Sequence, residues 1–163
     1  MTLTEMPFGL LGKVFSSPMP YSRFDVHGDL IHTYHQYDIA VVVMLVGVQE
    51  SIRRAGRNLL EVYSEEGFKV IHLPIPDFGI PSKESLDVAI DALLDYLSKG
   101  ENAAVHCNAG IGRTGTFLAC LAKRTHAITV GEAVNWIRQY LPEAVETPEQ
   151  ALFVQNYSIR SEA

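Results

Sequence analysis

The segment from Ala103 to Ala122 leaves this chain few ways to fold. The short apolar run Ala103-Ala104-Val105 reads as a buried strand, and Thr116-Phe117-Leu118-Ala119-Cys120-Leu121-Ala122 reads as a buried helix. Between them lie His106-Cys107-Asn108-Ala109-Gly110-Ile111-Gly112-Arg113-Thr114-Gly115. A strand that turns directly into a helix is the repeating unit of an α/β domain. Cys107 stands at the junction.

The residues of that junction describe a trap for an oxyanion. Gly110 and Gly112 let the backbone turn several N–H groups inward, and the positive end of the following helix adds to the field. Both features favour a thiolate at Cys107 and make it a nucleophile. Arg113 offers a planar fork that can hold two phosphate oxygens at once, which a lysine cannot do. Asn108, Ala109, Gly110, Ile111 and Gly112 are then the substrate-binding loop. The Thr114 hydroxyl is expected to hydrogen-bond the sulfur and improve it as a leaving group. His106 is expected to order the loop by hydrogen bonding.

A thiolate attacking phosphorus expels an alkoxide or phenoxide, which needs a proton. Asp77 is the donor this sequence offers. It lies in Leu73-Pro74-Ile75-Pro76-Asp77-Phe78-Gly79-Ile80-Pro81, a stretch whose prolines and glycine make a shaped loop, and such loops commonly carry catalytic groups. Phe78 and Ile80 would help exclude water from the acid.

A different class of function competes for the same residues. Gly110-x-Gly112-x-x-Gly115 also fits a dinucleotide fingerprint, and so a nucleotide-binding domain. That fingerprint expects an acidic residue ending a second strand about 20 residues on. The region after residue 130 reads as helix instead, and Cys107, Arg113 and Asp77 would be left without roles.

The remaining alternation of segments predicts a mainly parallel sheet flanked by helices. Val14 and Phe15 are expected on a first edge strand, residues 39–46 on a central strand, and residues 68–73 and 103–106 on two more. Helices are expected over residues 24–36, 52–66, 83–98, 113–127, 130–140 and 148–157. Ser82 and the Thr147-Pro148-Glu149-Gln150 capping box mark two helix starts. The loops that carry Cys107 and Asp77 would meet at the sheet's C-terminal edge.

Composition narrows the partners. With 163 residues, 47% of them hydrophobic, one core is expected over residues 1–163. The net charge of −6 comes without any Lys/Arg run, which argues against nucleic acid. The longest apolar run, Ile39 to Val48, is about half of the roughly 20 residues that span a bilayer, so no membrane insertion is expected. Two cysteines and no basic-then-apolar opening fit a reducing cytoplasm. Cys120 reads as a core residue and Trp136 as part of a packed helix face. His27, His32 and His35 lack metal-ligand spacing, and no metal is expected. Oligomeric state is not legible.

His106-Cys107-x-x-Gly110-x-x-Arg113-Thr114 resembles the signature of the cysteine-dependent protein tyrosine phosphatase superfamily. Pro76-Asp77-Phe78-Gly79-Ile80-Pro81 resembles that family's mobile general-acid loop. In motif order and size the chain looks most like its small atypical dual-specificity members and the archaeal tyrosine phosphatases, over roughly residues 10–158. The resemblance implies hydrolysis of phosphotyrosine, with or without phosphoserine and phosphothreonine, in a protein substrate. It also implies a phosphocysteine intermediate, no cofactor, and a Gln150 that orients the attacking water. Asn108, Ala109 and Ile111 carry no charge where lipid phosphatases of the superfamily often place lysines, which disfavours a phosphoinositide substrate. Two departures stand out. No upstream aromatic that would deepen a phosphotyrosine pocket is readable, and Leu141-Pro142-Glu143 stands where small relatives often have Arg-Pro-Gly.

Overall fold

A computed structural model of the protein describes residues 3–126 and 132–158. Its elements in chain order are β1 (Thr4–Met6), β2 (Val14–Ser17), α1 (Asp29–Gln36), β3 (Ile39–Met44), α2 (Val48–Ala55) and α3 (Leu59–Glu65). They continue with β4 (Lys69–His72), α4 (Lys83–Ser98), β5 (Asn102–His106), α5 (Gly112–His126), α6 (Glu132–Arg138) and α7 (Pro148–Asn156). The strands form one sheet in the order β1-β2-β5-β3-β4. The pairs from β2 to β4 are parallel, and only β1 runs antiparallel, against β2. This is the α/β fold expected, a mainly parallel sheet flanked by helices.

The order explains the apolar runs. A strand inside a parallel sheet is covered on both faces and so loses the polar alternation of a half-exposed strand. Val41 through Val46 are accordingly all 0% exposed, as are Ala103, Ala104 and Val105. The fully buried Phe117, Leu118 and Leu121 of α5 join them in one core cluster.

Register then sets where function can sit. Ser17 pairs with His106, His106 with Met44, and Met44 with His72. The C-terminal ends of β2, β5, β3 and β4 therefore lie in one row across the sheet. Four loops leave from that row.

Several boundaries differ from the sequence reading, each for a local reason. Val14 and Phe15 are interior, because β1 covers the outer side of β2; three residues are too few to show a period. The helix expected over 24–36 begins only at Asp29. Asp25 accepts hydrogen bonds from the Tyr21 and Leu30 amides, and Tyr21 and Gly28 have φ of 62° and 72°. A side chain at Gly28 would strike the Tyr21 ring. The helix expected over 52–66 is two, α2 and α3, because Gly56 ends α2 at φ 73° and Asn58 caps α3 through the Leu60 amide. The starts of α4 and α7 lie where the caps predict them. Ser82 accepts from the Ser85 amide, and Thr147 and Gln150 form the reciprocal box. Ala127 and the stretch 130–131, assigned to helices from sequence, lie outside the described residues. Among the described residues no helix is long and apolar enough to cross a membrane.

Candidate active site

Each of the four loops delivers one part of a single site. After β5 comes Cys107, 3% exposed, at the start of the turn that leads into α5. This turn is held against the loop after β2, since the Met19 amide donates to the Asn108 carbonyl (2.8 Å). Gly110, at φ 80°, lies so near that loop that a Cβ would be 2.6 Å from the Ser17 carbonyl oxygen. Gly115 approaches the segment before α7 as closely, where a Cβ would meet Ala144 at 2.6 Å and the Val145 nitrogen at 2.9 Å. A side chain at Gly112 would strike Glu146. These contacts explain all three glycines without a nucleotide.

His106 anchors the turn from below. Its Nδ1 lies 2.8 Å from the Cys107 carbonyl oxygen, which can only accept, so Nδ1 carries the hydrogen. Nε2 is then an acceptor, and the buried Tyr63 hydroxyl donates to it across 2.6 Å. Complete burial pushes the His106 pKa down from 6.5 to about 4; the carbonyl bond opposes this and the Arg113 charge adds to it. The ring is neutral near pH 7 and serves as a structural peg. Tyr63, which the sequence reading did not single out, is its partner from α3.

Arg113 sits in the first turn of α5, 2% exposed. Its two terminal nitrogens each donate 2.8 Å bonds to the Glu50 carboxylate, one to each oxygen. Nη1 also donates to the Ile75 carbonyl (3.0 Å), and Nη2 to Oδ1 of Asp77 (3.2 Å). Burial alone would raise the Glu50 pKa, but the bonds and charge of Arg113, with Arg54 and Arg53 nearby, hold it below the ordinary glutamate value. Burial likewise opposes the Arg113 charge and is outweighed by Glu50, by the Cys107 sulfur and by Asp77.

Asp77 leaves the row after β4 in a loop without regular structure. Phe78 beside it has φ 61° and is 59% exposed, and the Gly79 amide closes a tight turn onto the Pro76 carbonyl (2.7 Å). Asp77 also pairs with Arg54 of α2 (2.9 Å), and Arg54 lies 3.4 Å from Glu50. Together these groups line a cavity of about 230 Å³ that holds Cys107, Arg113, Asp77, Phe78, Asn108 and Ala109.

The same cavity contains Arg23, Phe24, Arg54 and Glu146. Phe24, with the Arg23 guanidinium 4.8 Å from its ring centroid, is an aromatic from the loop after β2 that lines the cavity, and it lies outside the helix expected over 24–36. Ile111 does not line the cavity; its carbonyl instead accepts the Gly115 amide. Glu143 is exposed outside it, and the anionic residue at its wall is Glu146. A larger cavity of about 700 Å³, between β4 and α4, holds none of the predicted site residues.

Two predicted roles do not appear in this geometry. The Thr114 hydroxyl is fully buried and has no hydrogen-bond partner among the described residues, the Cys107 sulfur included. The Gln150 amide does not line the cavity. Its oxygen accepts from the Glu146 and Thr147 amides (2.9 and 3.3 Å), and its nitrogen donates to the Gly79 carbonyl (3.1 Å). Gln150 braces the acid loop against α7, because the capping box that starts the helix already commits its side chain.

Comparison with known proteins agrees with this fold and with a phosphatase family. Residues 22–127 match the family described as polymorphic toxin system, DSP-PTPase phosphatase. The human dual specificity protein phosphatase CDC14A is 31% identical over 144 residues, 83% of this chain and 22% of that protein. The chain spans 58%, 13% and 54% of the length of three further curated relatives that it matches. Among solved structures, Tk-PTP in the active form has a TM-score of 0.75 at 31% identity, covering 91% of this chain and 94% of that one. Kinase associated phosphatase with its catalytic cysteine replaced by serine shares the fold, with a TM-score of 0.86 at 20% identity and coverage of 96% and 93%. The chain belongs to the DSP-PTPase family of cysteine-dependent phosphatases.

Proposed function

We propose that this chain hydrolyses phosphotyrosine in protein substrates through a phosphocysteine intermediate. The observation that carries the reading is the convergence of Cys107, Arg113 and Asp77 on one cavity walled by Phe24 and Phe78. Two aromatic walls suit an aryl phosphate, and the Asn108 and Ala109 side chains on the loop add no charge.

The residues divide the chemistry as follows. The Cys107 thiolate attacks phosphorus while the bond to the leaving oxygen breaks, and Asp77 in its protonated form gives that oxygen its proton. Asp77, now a carboxylate, takes a proton from water as the water oxygen attacks phosphorus and the S–P bond breaks, which returns the thiolate. Arg113 and the backbone N–H groups of residues 108–112 hold the phosphoryl oxygens as charge develops. Phe78 would cover the reacting atoms. No step calls for a metal or an organic cofactor.

Charge argues for a single phosphate. The cavity sets Arg23, Arg54 and Arg113 against Asp77 and Glu146, and Glu50 behind it pairs with both Arg113 and Arg54, so little cationic charge is left for a polyphosphorylated inositol ring. The reaction needs a reduced thiolate, which suits a cytoplasmic setting; both cysteines are free.

The test compares kcat/KM for phosphotyrosyl, phosphoseryl and phosphothreonyl peptides with that for phosphoinositides, with Cys107→Ser as control. Phosphotyrosyl peptides should exceed phosphoinositides by at least about tenfold, roughly 1.4 kcal/mol of transition-state stabilisation. Cys107→Ser should lose turnover and keep binding. A preference for phosphoinositide would overturn the substrate assignment, and turnover that survives Cys107→Ser would overturn the mechanism.

A further inference from the structure

Arg113 reaches this state with its fork already occupied. Both hydrogens of Nη1 go to Glu50 and Ile75, and those of Nη2 go to Glu50 and Asp77. Only Nε–H is outside these bonds among the described residues. For Arg113 to grip a phosphoryl group with two donors, the Nη2 hydrogen now on Asp77 Oδ1 must be released. Asp77 therefore stands where a phosphate oxygen must go, and it has to give way without leaving the site.

Arg54 supplies the second hold. Its Nη2 donates to the other oxygen of Asp77, Oδ2, across 2.9 Å. Arg54 is itself set by Glu50, one helical turn earlier on α2 and 3.4 Å from its Nε. Glu50 and Asp77 each bridge the two arginines, so four side chains close a ring of alternating charge. The other charged groups of this cavity are Arg23 and Glu146.

We propose that Arg54 is the positioning residue of the general acid, holding Asp77 Oδ2 so that Oδ1 delivers the proton. The inference rests on the phosphatase reading above. When substrate takes the Arg113 fork, Oδ1 is freed beside the phosphoryl oxygens while Oδ2 stays on Arg54. As the S–P bond forms and the P–O bond breaks, the Oδ1 proton moves to the leaving oxygen, and the carboxylate so produced meets a cation already in place. In the second step the same carboxylate accepts the proton of the attacking water. A merely structural role for Arg54 is a poor alternative. The Arg54 and Asp77 side chains are each about one-third exposed, and an ion pair at that exposure contributes little to folding.

The experiment is a leaving-group series, p-nitrophenyl phosphate, phenyl phosphate and a phosphotyrosyl peptide, with wild type, Arg54→Gln, Arg54→Lys and Asp77→Asn. For Arg54→Gln, kcat/KM, which reports the steps up to formation of the phosphocysteine, should fall about tenfold or more on phenyl phosphate and the peptide, yet stay within about twofold on p-nitrophenyl phosphate, whose leaving group needs little protonation. KM should change little, Asp77→Asn should follow the same trend more strongly, and Arg54→Lys should recover part of the loss. Equal losses on all three substrates, or a change confined to KM, would overturn the positioning role while leaving the phosphatase reading intact. A wild-type chain without Cys107-dependent turnover would instead bring down that reading, and this inference with it.

Discussion

Replacing Glu50 by Gln removes a charge and almost nothing else, which makes it a sharp probe of the buried pair with Arg113. The two side chains are 11% and 2% exposed and share two bonds of 2.8 Å. A glutamine keeps one carbonyl oxygen for the fork but turns its NH2 group toward the other guanidinium nitrogen, donor against donor. One charge-assisted bond is lost, at about 1.5–3 kcal/mol, and the remaining one weakens to a neutral acceptor. A total near 3 kcal/mol is the low end for breaking a buried pair. Urea denaturation at pH 7, followed through the single tryptophan, Trp136, should show the midpoint falling by about 1.5 M for a slope near 2 kcal/mol/M. Inorganic phosphate should partly restore the variant, since an anion on Arg113 replaces the missing charge; ligand at about 100 times its Kd adds about 2.7 kcal/mol. The Glu50 pKa lies below its ordinary value, so its contribution is complete above the unfolded pKa and disappears as pH falls through the folded one. The gap between variant and wild type should close in acid. A stability change under about 0.5 kcal/mol, the range of an unremarkable surface substitution, with kcat/KM unchanged, would refute the claim that Glu50 holds Arg113.

Asp77→Asn should impose a penalty that grows as the leaving group becomes poorer; a uniform loss across aryl phosphates would count against a general acid. For His106, the unfolded chain takes up its proton near 6.5 and the folded one near 4, so stability should decline as pH drops between those values, by at most about 3 kcal/mol. Replacing His106 by Asn should flatten that slope in urea titrations, and an unchanged slope would mean the ring is not the group responsible. Gly115→Ala adds a good helix former yet drives a methyl into Ala144 and the Val145 backbone, so we expect a loss of about 1–3 kcal/mol rather than a gain; a raised melting temperature would show that the segment yields. Tyr63→Phe leaves His106 Nε2 without a donor and should cost about 1–3 kcal/mol in the same denaturation assay, with wild-type stability as the disproof.

What could be read along the chain was chemistry that is local in sequence. Cys107 and Arg113 share one turn, so their spacing alone brings them together once the strand and helix on either side form. Asp77 was legible because prolines and glycine mark its loop. The caps at Ser82 and Thr147 are likewise short-range, and the structure places α4 and α7 where they predict. Gln150 shows the limit, since the capping box named it as a helix start and the family resemblance as the residue that orients water, and only packing showed that the cap and the Gly79 carbonyl use its amide.

The residues that complete the site come from elsewhere, and no local pattern could have named them. Glu50 lies 63 positions from Arg113, and Phe24 belongs to a stretch whose apolar spacing imitates a helix until Asp25 bonds the Tyr21 and Leu30 amides. They meet because β5 lies between β2 and β3 and β4 lies beyond β3, so that Ser17, His106, Met44 and His72 end in one row. Apolar content and alternation of elements were enough to specify a parallel sheet, since burying both faces of such strands requires it. The order and register of the strands depend on long-range pairing, and they alone decided which carboxylate would hold the arginine, which arginine would hold the acid, and which aromatic would wall the cavity.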